Sequence, residues 1–139
     1  MNRGGAVTGQ PRTWLRLEGL AMLAASLLFY RWQLESWWTF LLLFFVPDVT
    51  MVGYAAGPAI GARVYNLAHN YVGPVFLVCW ALSIGRQDVV PYALIWTAHI
   101  GFDRALGFGL KYQTGFGHTH LGQLPRAAQL KSPGAGRFG

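Results

Sequence analysis

Asp48, His69, His99 and Asp103 all lie inside long apolar stretches of a 139-residue chain, and that combination leaves few folds open. A lone ionised side chain at the centre of a bilayer costs several kcal/mol, so intramembrane carboxylates and imidazoles face one another or a wet cavity. The pattern therefore predicts a polar site inside a small membrane bundle.

Composition points the same way. Hydrophobic residues make up 53% of the chain and charged residues 12%, with 6 Trp and 9 Phe, which is too apolar for an ordinary soluble domain. Residues 14–34, 37–56, 60–84 and 89–110 each approach the roughly 20 residues an α-helix needs to cross a bilayer. The expected fold class is all-α: an integral membrane bundle of four transmembrane helices in up-down topology. Arg3, Arg12 and Arg16 ahead of the first apolar run also suit a signal peptide, but no small-x-small cleavage site follows, so the run is expected to stay as a helix. The lone Cys79 stands among apolar neighbours and excludes a disulfide within the chain; it is expected to be a buried thiol.

Lys and Arg set the orientation. With both termini cytoplasmic, the inner side holds Arg3, Arg12, Arg16, Arg63, Lys111, Arg126, Lys131 and Arg137, and the outer side only Arg31 and Arg86. This asymmetry fits the positive-inside rule and an even number of crossings, placing a multi-pass protein in a bacterial cytoplasmic membrane. The net charge of +6 is then explained by basic flanks at anionic lipid, and nucleic acid is not an expected partner.

Short connections imply antiparallel neighbours: Gln33 to Ser36, Gly57-Pro58, and Gly85 to Asp88, with Pro91 opening the fourth helix. Residues 1–13 and 123–139 are rich in Gly, Pro and basic residues and are expected to be disordered, leaving 14–122 as the transmembrane domain. Gly53, Gly57 and Gly61 have small-xxx-small spacing, but Pro58 interrupts it and favours a turn over a dimer face.

Depth brings the polar residues together. At 1.5 Å per residue, Asp48 lies about 12 Å from the inner end of helix two, His69 about 13 Å from the inner start of helix three, and Asp103 about 11 Å from the inner end of helix four. Glu18 enters from the same side, nearer the surface. His99 and Asp103 are four apart on one helix face, a spacing by which one helix offers two ligands to a metal or lets a carboxylate orient an imidazole. Asn66, His69 and Asn70 share a stripe of helix three. Pro47 can kink helix two beside Asp48. The Gly-rich segment from Gly115 to Gly122 can fold back to bring His118 and His120 to the mouth of the site.

The strings Pro47-Asp48-Val49-Thr50-Met51-Val52-Gly53-Tyr54, Tyr65-Asn66-Leu67-Ala68-His69-Asn70-Tyr71, His99-Ile100-Gly101-Phe102-Asp103-Arg104-Ala105-Leu106-Gly107 and Gly109-Leu110-Lys111-Tyr112, ending in Thr119-His120-Leu121-Gly122, resemble a family of short bacterial integral membrane proteins catalogued as a domain of unknown function. The likeness runs from about Leu15 to Gly122 and implies a four-helix membrane protein but no activity. In residue types alone, the order Pro-Asp, His, His-x-x-x-Asp is also similar to membrane-embedded metal-dependent hydrolases.

Three function classes follow. In the first, a metal-dependent membrane hydrolase acts on a lipid-like substrate: His69, His99 and Asp103 bind Zn²⁺ or another divalent ion, with His118 and His120 as further candidate ligands. Asp48 is then a fourth ligand or general base, so that Asp48, His99 and Asp103 form the catalytic set, supported by Glu18, Asn66, Asn70 and Arg104. In the second, the same groups relay protons or an ion in a transport component; four helices make a thin wall for that, so a homo-oligomer is expected. In the third, they only lock a structural or regulatory subunit: Asp48 caps a broken helix or pairs with Arg104, and His69 and Asn70 bond between helices.

Overall fold

The computed structural model describes residues 5–123 and is mainly helical. Helix α1 spans Gln10–Trp32, α2 Trp37–Phe44, α3 Pro58–Ala68, α4 Val72–Ser83 and α5 Val90–Leu106. A 3-10 segment, Val46–Ala56, follows α2, a 3-10 turn, Gln87–Val89, precedes α5, and a two-stranded hairpin pairs β1, His118–Thr119, with β2, Gly122–Gln123.

Proline and side-chain caps set most boundaries. Pro11 sits in the first turn of α1, where its missing N–H costs nothing. That turn starts the helix at Gln10, within the stretch expected to be disordered, and the chain before it is pinned by Val7 N–H to the His120 carbonyl at 2.7 Å. Ser36 caps α2 by accepting from the Trp38 N–H at 3.2 Å. Helix two is not continuous. Pro47 cannot donate to the α2 ladder and its ring crowds the preceding turn, so the chain tightens into 3-10 geometry, with Asp48 N–H donating to the Phe45 carbonyl at 3.1 Å.

The third expected helix is also divided, and Asn70 explains the break. Its amide Nδ2 donates to the Asn66 carbonyl at 2.7 Å and to the Leu67 carbonyl at 2.9 Å, while its Oδ1 accepts from Val72 N–H at 2.9 Å. One side chain thus closes α3 and opens α4, a competition with the backbone ladder that short amides make well. Helix α5 ends at Gly107, whose φ of 93° is left-handed, with Phe108 N–H returning to the Asp103 carbonyl at 2.7 Å.

Helices α1 and α5 form the spine. They cross where Gly19 meets Gly101: a Cβ on Gly101 would lie 2.7 Å from the Gly19 carbonyl oxygen and from Leu23 N, and one on Gly19 would collide with Arg104 Cβ. Buried Ala93, Ala98 and Ile100 continue the α5 face toward the core, with Ala62, Tyr65 and Ala81 from α3 and α4. Trp96 Nε1 donates to the Ala68 carbonyl at 2.6 Å and its ring lies against Gly73, fixing the α3–α4 break on α5. The 3-10 segment folds back on α3, where Gly53 approaches Gly61 Cα and the Tyr54 ring covers Gly61.

No α2 residue is buried, and large apolar side chains such as Leu42, Val52, Leu67, Val72 and Phe76 point outward. Cys79 is exposed as well, against the expectation of a buried thiol. Among the described residues one span, Trp37–Ala56, is long and apolar enough to cross a membrane. Of the four expected transmembrane spans, this one passes on length and hydropathy.

Candidate metal centre

Four side chains converge from three elements: Asp48 from the 3-10 segment, His69 from the end of α3, and His99 with Asp103 from adjacent turns of α5. One potential ligand atom from each lies within 4.8 Å of all the others. His69 Nε2 and His99 Nε2 are 3.1 Å apart. Asp48 Oδ1 stands 3.3 Å from His69 Nε2 and 3.5 Å from His99 Nε2, and Asp103 Oδ2 stands 3.7 and 3.8 Å from the same two atoms. Donors at about 2.0–2.1 Å from a tetrahedral ion sit roughly 3.3–3.4 Å from one another, and the five separations above bracket that value.

Proton placement sharpens the point. His69 Nδ1 is 2.8 Å from the Tyr65 carbonyl oxygen, which only accepts, so Nδ1 carries the hydrogen. When the ring is neutral, its Nε2 lone pair then faces two carboxylate oxygens and a second imidazole. One shared proton satisfies one of these neighbours, whereas a cation satisfies all of them. The Nδ1–H to carbonyl bond is also the outer support that metal-bound histidines commonly have.

Tyr65 adds two further supports. Its ring stacks on His69 at 3.6 Å between centroids and 10° between planes, and its hydroxyl donates to Asp103 Oδ2 at 3.1 Å. Phe44 meets the His99 ring edge to face at 5.2 Å. His99 Nδ1 is buried with no partner among the described residues, so the two imidazoles are unequally supported.

The remaining expected site residues lie elsewhere. Arg104 donates from Nη2 to the His69 carbonyl at 3.3 Å and places Nη1 2.9 Å from His120 Nε2; it forms no pair with Asp48 among the described ion pairs. His120 accepts from Leu110 N–H at Nδ1, 2.9 Å. Burial and the Arg104 guanidinium hold its pKa below the ordinary histidine value, so it is neutral at pH 7. His118 Nδ1 contacts Thr114 Oγ1 at 2.9 Å. Neither histidine belongs to the group of four. Glu18 is exposed and lines a small cavity with Tyr71, Arg104 and His120. Asn66 clamps the Lys111 backbone, donating to its carbonyl at 2.8 Å and accepting from its N–H at 2.7 Å.

Two residues that the sequence reading left out matter here. Tyr65 was legible in principle, since it stands four residues before His69 on the same helix face. Lys111, expected only as one of the inner-side basic residues, is 7% exposed, and no local pattern in the sequence signals that.

The family model described as a domain of unknown function, DUF4260, matches residues 12–124. The chain belongs to this family. Its match takes in all four residues of the cluster together with Tyr65, Asn66 and Lys111. No curated protein and no solved structure matches the chain.

Proposed function

We propose that this is an integral membrane protein that holds a divalent metal, zinc or a similar ion, between Asp48, His69, His99 and Asp103, and that it hydrolyses a lipid-like substrate there. The observation that carries the metal reading is the meeting of two imidazole Nε2 atoms at 3.1 Å between two carboxylates. An ion in such a cage supplies Lewis acidity and an activated water. His69, His99 and Asp103 are the fixed ligands. Asp48 is the more open carboxylate, 30% exposed against 15% for Asp103, which suits it to give up a ligand position and take a proton from water.

The membrane reading is supported by the outward apolar surface. Trp37–Ala56 has a mean hydropathy of 1.6 and only 6% of its most apolar stretch is buried, and an exposed apolar surface on this scale calls for lipid or a partner. The four crossings are α1, α2 with the 3-10 segment, α3 with α4, and α5, with both termini at the cytoplasmic face of a bacterial inner membrane. The 3-10 stretch and the break at Asn70 fit that setting, because irregular backbone at membrane depth is tolerated where it is packed against protein or lines a polar cavity.

Elemental analysis of protein purified without added metal or a histidine tag tests the proposal. About one divalent ion per chain is expected. A chain that carries none, and takes up none on titration with Zn²⁺, overturns it.

A further inference from the structure

Arg104 has no acidic partner. Among the described residues no carboxylate lies at ion-pair distance from its guanidinium, and Asp103, its neighbour in sequence, turns to the two imidazoles instead. One arm, Nη2, donates to the His69 carbonyl at 3.3 Å. The other, Nη1, lies 2.9 Å from His120 Nε2, and there two donors meet. Leu110 N–H donates to His120 Nδ1 at 2.9 Å, and a neutral imidazole accepts at one nitrogen while donating from the other. His120 Nε2 therefore carries its hydrogen where the guanidinium also offers one.

Arg104 and His120 line a cavity of about 70 Å³ with Leu15, Glu18 and Gly19 of α1 and with Tyr71. The Tyr71 hydroxyl is buried and has no partner among the described residues. Three donors thus gather at one space, and donors left unmet in a protein interior are costly. The acidic residue on the lining, Glu18, is exposed and stays beyond ion-pair distance of Arg104. One water needs about 10–15 Å³ of such space, so the cavity has room for a few waters or for the three heavy atoms of a carboxylate head. A planar carboxylate presents two acceptors side by side, which suits neighbouring N–H groups on a guanidinium and an imidazole. Its single charge matches one guanidinium, whereas a doubly charged anion would be repelled more strongly by Glu18.

We propose that this cavity is a carboxylate-binding site, in which Arg104 Nη1 and His120 Nε2 donate to the two oxygens and Tyr71 supplies a third hydrogen bond. The site is separate from the four metal ligands and does not depend on them. A free small acid and a fatty acyl chain offer the same carboxylate chemistry.

Calorimetric titration of the full chain in detergent with sodium acetate, against sodium chloride at matched ionic strength, tests it. Acetate should bind at about one site per chain, with and without zinc. Arg104→Gln should weaken it about 10-fold or more, and Tyr71→Phe, which removes one oxygen and keeps the ring, about 3-fold or more. Glu18→Gln should tighten it, by removing a like charge from the lining. Decanoate in mixed micelles displacing acetate where decanol does not assigns the site to an acyl chain. Failure of decanoate to displace acetate assigns it to a small soluble acid, and either result supports the site. Absence of acetate binding in wild type and Glu18→Gln alike overturns the proposal, as does chloride bound as tightly as acetate or equal acetate affinity in wild type and Tyr71→Phe. Should Arg104→Gln not fold, Tyr71→Phe decides. A chain that binds acetate but no zinc overturns the metal reading alone, whereas zinc bound without acetate binding overturns the carboxylate site alone.

Discussion

His69 and His99 point their Nε2 atoms at each other across 3.1 Å, one ring braced by a backbone carbonyl and a stacked tyrosine, the other with its Nδ1 buried and unpartnered among the described residues. The pair is asymmetric in support but symmetric in its position between the two carboxylates. If a metal sits there, both rings are needed.

His99→Ala and Asp103→Asn should therefore each lower metal occupancy by about 10-fold or more, the scale on which ligands and their close supports act. Cys79→Ala, at an exposed thiol, should leave occupancy unchanged. Metal analysis of the three variants checks this. Losses confined to melting temperature would assign the cluster to packing, since polar bonds between membrane helices average only about 0.6 kcal/mol.

Gly101→Val should be severely destabilising, because a Cβ there would lie 2.7 Å from the Gly19 carbonyl oxygen. Overpacking of this kind costs about 1–3 kcal/mol, and both contacts here are to backbone. Thermal unfolding in detergent should show a clear drop in midpoint, larger than that of a Val substitution at Gly85, where an added Cβ meets nothing but the left-handed φ of 74° adds strain. A smaller drop at Gly101 would contradict the close crossing.

Lys111 gives a pH prediction. Burial pushes its pKa down from 10.5 to about 8, against the opposing pull of Asp103 and Asp48, the charged groups that face it. Between about 8 and 10.5 the unfolded chain holds the proton that the folded chain has released, so stability rises with pH across that window. Melting midpoints measured from pH 7 to 10 should climb more steeply in wild type than in Lys111→Met.

Topology is read by reporter fusions. Fusions after Gly57 and after Gly122 should report the cytoplasm, and fusions after Glu35 and Asp88 the outside, as the distribution of Lys and Arg requires. A reproducible inversion at Gly122 would rule out four crossings.

Asp48, His69, His99 and Asp103 do meet, though the depth estimate that grouped them took about 1.5 Å per residue from Asp48 to Ala56, where the backbone is 3-10 with a rise of about 2.0 Å. The i,i+4 spacing of His99 and Asp103 needed no tertiary information. The local form of the backbone was harder to read. Apolar composition marks a span, yet it does not register that Pro47 turns α into 3-10 geometry, or that the Asn70 amide closes one helix and opens the next. Lys111 escaped for another reason. Its burial depends on Tyr65 and on the Phe116 loop, which pack around it from opposite sides in sequence, and proximity of that kind has no period.

The 3-10 segment also sets a rule for change in the gene. Successive residues there turn by about 120°, so adding or deleting one codon between Asp48 and Tyr54 swings one end by a third of a turn against the other. Either the carboxylate leaves the two imidazoles or the Tyr54 ring leaves Gly61. Side chains along this stretch can vary wherever they face outward, but its length cannot. Among homologues, insertions should collect in the connections at Gly57 and Gly85 and be missing from the six residues after Asp48.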